Sequence, residues 1–272
     1  MDRTPKIKKF DIMNIKPDKI ICLIGPRGTG KSIVGKDIIF HLNNLINVAT
    51  VVSGTERANG FYKEFIPDSF IYDEYSDGIT ERICERQLEL SDKSKENELT
   101  EMEESFKRLL VVFDDCLYDD KWIKNKSMKY IFTNGRHILV TFLFMMQYPL
   151  GIPPPLRSNV DYTFILADSQ ISNRKKIYEN YAGSVPDIHI FNKLMDLCTN
   201  EYGCLVIDNT VKDTDEWINH VFYYKSIFHN DFQFGHPLFW KMHNEWFDPQ
   251  YVKKNKNSKK KSNNHLLLTK TA

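Results

Sequence analysis

No apolar run in this 272-residue chain is long enough to cross a bilayer. The longest, residues 138–146, falls far short of the roughly twenty residues a spanning helix needs. Disulfide frameworks and cysteine-based zinc sites are equally disfavoured. The five cysteines stand at 22, 84, 116, 198 and 204, with no Cys-x-x-Cys pair, and the 198/204 spacing suits no common zinc pattern. The first nine residues are charged, with no apolar stretch behind them of the kind export requires. An odd cysteine count without such a signal predicts a reducing, intracellular compartment. There is no internal repeat. Acid is missing from residues 253–272, which carry seven lysines, so a net charge of +1 leaves −6 for the remainder. A mildly acidic body with a basic tail argues against a uniformly nucleic-acid-coated surface, and polyanion contacts would have to come from the tail or a local patch.

Five nearly continuous apolar runs fill the first two-thirds of the chain: 20–24, 48–52, 109–113, 138–146 and 162–166. Continuity rather than alternation predicts strands covered on both faces, hence a parallel sheet. Helices are predicted over 31–43, 79–89 with 101–108, and 121–133, which completes a βαβ rhythm. Residues 91–104 are strongly polar and read as an exposed loop or solvated helix inserted before the third strand. Further on, 172–181 and 187–199 read as helices and 204–207 and 220–224 as extra strands. Aromatics then crowd 228–247, where they would either extend the sheet or form a subunit contact. The expected organisation is one α/β domain over 1–250, followed by a basic, disordered tail over 251–272.

Between the first run and the first helix stand Gly25, Pro26, Arg27, Gly28, Thr29, Gly30, Lys31 and Ser32, the P-loop pattern GxxxxGK[ST]. Glycines let the backbone turn tightly and aim N–H groups at phosphate oxygens, and the helix N-terminus adds its positive dipole end. A nucleoside triphosphate is the expected ligand. Lys31 would reach its β- and γ-phosphates, and Ser32 would ligate Mg²⁺. The third run ends in Asp114 and Asp115, a Walker B arrangement. Asp114 would hold Mg²⁺, since hard divalent ions prefer oxygen ligands, and Asp115 would activate the attacking water.

Gln147 closes the fourth run, where an amide could sense the γ-phosphate or the lytic water. An apolar strand between the Walker B strand and the end of the sheet predicts a three-layer P-loop NTPase of RecA/ASCE type, the class with an added central strand. Its core strand order would be 5-1-4-3-2, with extra strands C-terminal. Arg157 follows a proline-rich segment that fixes its direction, and Arg136 precedes the fourth strand beside His137. In a ring either arginine could reach a neighbour's γ-phosphate; otherwise each is a surface ion-pair partner. His137 would touch substrate or satisfy a loop carbonyl.

GPRGTGKS, VVFDDC, TNGRHILVTFLFMMQYPLGIPPPLRSNVDY and RKKIYENYAG together resemble the poxvirus-type genome-packaging ATPases of large nucleocytoplasmic DNA viruses, within the FtsK–HerA superfamily. The resemblance runs from about residue 18 to residue 225. It implies an ATP-hydrolysing translocase, a homo-oligomeric ring (usually a hexamer) that threads double-stranded DNA into capsids during virion assembly. Host-cytoplasmic assembly sites, the virion itself, and capsid or membrane-associated assembly proteins would be its surroundings. It implies Lys31, Asp115, Gln147 and Arg157 as catalytic, with Arg157 as the trans-acting arginine. Asp115 departs from the Glu of many superfamily members and reaches one methylene less far. Two other readings share the P-loop: a nucleotide or polynucleotide kinase with Arg174, Lys175 and Lys176 as a lid, and a nucleotide-gated assembly scaffold. A GTPase switch is disfavoured, because Asn192 and Lys193 meet Asp196 one residue too late for NKxD.

Overall fold

The nine-residue run at 138–146 does not become one nine-residue strand. Gly135–Ile138 is a 3-10 turn, and Leu139 takes a left-handed conformation (φ 59°) before the strand starts at Val140. The computed structural model describes residues 6–116, 121–212 and 216–247. Among these, the strands are β1 (Lys8–Lys9), β2 (Ile20–Ile24), β3 (Val48–Ser53), β4 (Ile71–Tyr72), β5 (Leu109–Asp114), β6 (Val140–Met146), β7 (Tyr162–Ile165), β8 (Cys204–Asp208) and β9 (Val221–Tyr224). They form one sheet in the order β1-β9-β8-β7-β2-β6-β5-β3-β4. The stretch β7-β2-β6-β5-β3 is parallel throughout and is the expected 5-1-4-3-2 core. Antiparallel β8 and β9 extend it on the C-terminal side.

The helices are α1 (Lys31–Leu42), α2 (Glu56–Asn59), α3 (Asp77–Lys95), α4 (Glu101–Phe106), α5 (Lys121–Lys124), α6 (Lys126–Asn134), α7 (Pro154–Arg157), α8 (Ile171–Tyr181), α9 (Ile188–Cys198) and α10 (Pro237–Trp246). Strand side chains alternate between two apolar layers. Ile20, Cys22 and Ile24 of β2 join the layer of α3, α6, α8 and α9, while Ile21 and Leu23 join that of α1. In the first layer Phe113, Phe132, Phe142 and Phe144 pack at centroid separations of 5.2–5.6 Å, edge-on or offset. Burying each such side chain stabilises by about 1.5–3 kcal/mol.

Some boundaries differ from expectation for local reasons. The helix predicted over 79–89 continues to Lys95 and absorbs the start of the polar insertion; a capping box between Thr100 and Glu103 then opens α4. The helix predicted over 121–133 is two, because Asn125 leaves helical geometry and its side chain accepts from the Met128 N–H at 3.0 Å. The aromatic stretch 228–247 does not extend the sheet. It inserts Phe234 and then forms α10, which buries Phe239. All five cysteines are buried and free, as small hydrophobes. The basic tail at 251–272 lies outside the described residues.

Candidate nucleotide-binding site

Gly25 leaves β2 with its N–H donating to the Met146 carbonyl (3.1 Å), so the loop begins pinned between β2 and β6. A Cβ at Gly25 would sit 2.8 Å from Leu166 Cβ, too close to tolerate. Gly30, the N-cap of α1, has φ 96°, a region that costs an L-residue and suits glycine. The Thr29 hydroxyl donates back to the Pro26 carbonyl at 2.8 Å. Lys31 Nζ donates to the carbonyls of Gly25 (2.6 Å) and Pro26 (2.8 Å), which holds the ammonium against the loop.

Around this loop lies a cavity of about 860 Å³. Arg27, Gly28, Gly30, Lys31 and Ser32 line it, and so do Asp114, Asp115 and Gln147. The topology explains the meeting. β2, β5 and β6 are parallel, so their carboxyl ends open on one rim, as ligand sites in such sheets do. Of the eight loop residues expected around the nucleotide, Gly25, Pro26 and Thr29 stand behind the lining and build the loop.

Asp114 is 6% exposed and accepts from the Tyr62 hydroxyl at 3.0 Å. Burial pushes its carboxyl up to about 6; the Tyr62 bond opposes this and the neighbouring Asp115 charge adds to it. Tyr62 is itself fixed by buried Glu56, whose carboxylate accepts from the Tyr62 and Lys63 N–H groups at 3.0 Å each. Burial, then the Asp114 charge, holds the Tyr62 phenol well above its ordinary range. Asp115 follows in the left-handed region (φ 52°), which short acidic side chains tolerate, and Gln147 Nε2 donates to its Oδ1 at 2.6 Å. Burial lowers the Lys31 ammonium below its usual value, and Asp115 and then Asp114 counteract it. A buried cation facing two carboxylates and a hydroxyl can hold a polyphosphate together with a hard cation.

Sequence reasoning did not find Tyr62, Glu56, Thr55 or Asn59, nor the far wall of the cavity, Glu201, Tyr202, Lys225, Ser226 and Phe228. Tyr62 and Asp114 are separated by 52 residues, and nothing near Tyr62 marks it.

The arginines lie elsewhere. Arg157 ends α7, before β7, and does not line the cavity; its Nη1 donates to Asn180 Oδ1 and its guanidinium lies 5.4 Å from the Tyr181 ring centroid. Its Nε is buried and makes no hydrogen bond. Arg136 and His137, both exposed, contact each other (3.3 Å) before β6. Arg174 donates to the Asp168 carbonyl and pairs with Asp196 at 2.7 Å, and neither it nor its lysine neighbours line the cavity. No lid of the kind a kinase needs is formed from them.

Asp37, His41 and His229 are close enough together to hold a metal, but none of the three lines this cavity. Asp37 already accepts from Tyr224 Oη (2.5 Å), the Ile227 N–H (3.0 Å) and His229 Nε2 (2.6 Å), a satisfied buried carboxylate tying α1 to the segment after β9.

Strand order, phosphate loop and paired acids define a P-loop NTPase of the class with an added central strand. Residues 8–233 match the family described as Poxvirus A32 protein, and the chain belongs to it. It is 37% identical over 247 residues to an uncharacterised protein, L437, of Acanthamoeba polyphaga mimivirus, covering 90% of this chain and 86% of that one. Two solved structures share its fold. The genome packaging NTPase B204 from Sulfolobus turreted icosahedral virus 2, in complex with AMPPCP, superposes with TM-score 0.57 at 16% identity, over 79% of this chain and 100% of that one. B204, the DNA-packaging ATPase from Sulfolobus turreted icosahedral virus, gives TM-score 0.57 at 15% identity over the same shares.

Proposed function

We propose that this chain is an ATPase that moves double-stranded DNA into viral capsids during virion assembly. The observation that carries the reading is the gathering of Lys31, Ser32, Asp114, Asp115 and Gln147 in one cavity at the carboxyl rim of a parallel sheet. Membership of the A32 family and the shared fold with packaging NTPases support it.

In this reading loop N–H groups and Lys31 bind the ATP phosphates. Ser32 and Asp114 would hold Mg²⁺; their oxygens suit that ion, and the raised value of Asp114 marks a buried carboxylate whose charge is under-compensated by the protein alone. When bound, the ion would supply charge neutralisation for the phosphates. Tyr62 orients Asp114 through Oδ2. Asp115 accepts the proton of the attacking water, and Gln147 fixes its Oδ1, which leaves the other oxygen for that water. Arg157, which does not line its own cavity, would serve a neighbour in a homo-oligomeric, hexameric ring. Residues 1–250 would act as one ATPase domain, at host-cytoplasmic assembly sites, docked on capsid or membrane-associated proteins.

Duplex DNA should stimulate ATP hydrolysis, and Lys31→Ala should abolish turnover while circular dichroism stays unchanged. Wild-type turnover in that variant rejects the assignment. Particle mass measured with ATPγS and duplex DNA tests the ring; a monomer under those conditions removes the trans role of Arg157.

A further inference from the structure

Asp114 ends β5, Asp115 follows it and Gln147 follows β6, and both strands lie on one side of β2 in the sheet. The other side of β2 carries β7, β8 and β9. From there a second wall of the same cavity arises: Glu201 and Tyr202 just before β8, and Lys225, Ser226 and Phe228 after β9. The acids mark where a γ-phosphate would lie, so this second wall flanks the opposite end, beside Gly30.

Two aromatic side chains there are left open to solvent, Tyr202 at 70% and Phe228 at 80% exposure. Single exposed aromatics are common and signify little. These two differ in lining one cavity with the phosphate loop. Tyr202 is also held at some conformational cost. Glu201 and Tyr202 are consecutive non-glycine residues with φ of 50° and 63°, strain that persists only where the surroundings enforce it. Gly203, which follows, is packed so closely that a Cβ would meet the Cys198 carbonyl at 2.3 Å. An ion pair from Glu201 to Lys225 (2.7 Å) ties the turn to the end of β9. The Tyr202 ring is thereby laid against the loop, with its Cδ1 only 3.6 Å from where a Cβ on Gly30 would be.

We propose that Tyr202 and Phe228 form the nucleobase subsite, taking a purine by stacking. The inference rests on the nucleotide-binding reading above and adds the substrate's base to it. Stacking on exposed aromatic faces scales with ring area, which favours purine over pyrimidine, and it needs no hydrogen-bond code. Glu201 is committed to Lys225 and serves to position the ring.

The test is calorimetric titration of the full chain with Mg·ATPγS, Mg·CTP and inorganic tripolyphosphate, for wild type, Tyr202→Ala, Phe228→Ala and Tyr202→Phe, with melting temperatures as a fold control. Wild type should prefer ATPγS to CTP. Each alanine variant should weaken ATPγS on the order of tenfold, narrow the preference over CTP, and leave tripolyphosphate within about twofold, as expected when only base stacking is lost. Tyr202→Phe should behave as wild type, because the face and not the hydroxyl is used. Unchanged ATPγS affinity in both alanine variants overturns the subsite while nucleotide binding stands. Equal losses for ATPγS and tripolyphosphate overturn it too, since the change would then be a collapse of the loop. Wild type that binds none of the three probes defeats the underlying nucleotide reading.

Discussion

Replacing Asp114 by Asn should make the nucleotide-free protein more stable at pH 8. The folded carboxyl titrates at about 6 against 3.8 for an unburied one. The folded state therefore binds this proton more tightly than the unfolded state, and stability is lost as pH rises from 4 through 6. Roughly two pH units at about 1.4 kcal/mol each put the penalty of the charged form near 3 kcal/mol at pH 8. At pH 4, close to the unfolded value, about 0.5 kcal/mol of it remains. Asn keeps an oxygen for the Tyr62 hydroxyl, so the buried donor stays satisfied. It removes one of two carboxylates facing Lys31, and the loop carbonyls and Asp115 remain. Allowing for that loss, a gain of about 1–3 kcal/mol is expected at pH 8, shrinking to near zero at pH 4. Urea unfolding in EDTA, without nucleotide, measures it at both pH values. A variant no more stable than wild type at pH 8, or a gain of equal size at both, would refute the reasoning.

Tyr62→Phe deletes the donor to the same carboxylate, so it should destabilise by about 1.5–3 kcal/mol at pH 8 and less at pH 4, where Asp114 is protonated; urea titrations at the two pH values read the difference. Asp37→Ala strands the Tyr224 hydroxyl, the Ile227 N–H and His229, and should cost about 3–5 kcal/mol. Chemical denaturation checks that size, and a loss under 1 kcal/mol would show the network to be dispensable.

The core of the fold is legible because strands covered on both faces must be apolar at every position. Runs 20–24 and 109–113 meet that demand and appear as β2 and β5. The phosphate loop and its acids were legible for a related reason, since each sits at a strand end whose direction the parallel sheet fixes. Where the reading failed, the deciding contact was distant or the backbone unusual. Leu139 turns left-handed without a glycine to announce it, which hid the late start of β6. Tyr62 is recruited by Glu56 and Asp114, with no local pattern. Tyr202 depends on two residues with positive φ. α10 carried readable signals in His236 as N-cap and Pro237 behind it, but the density of aromatics around it obscured its period.

The sheet's two margins bear on how copies of this chain could come together. One ends in β1, just two exposed lysines, and the other in β4, likewise two residues long. Among the described residues, backbone hydrogen bonding at these margins offers an incoming chain little to extend, and the lysines repel a like partner. In the ring proposed above, neighbours would then meet through side-chain faces that can slide and separate, a join better suited to parts that move against one another than a continuous intermolecular ribbon would be.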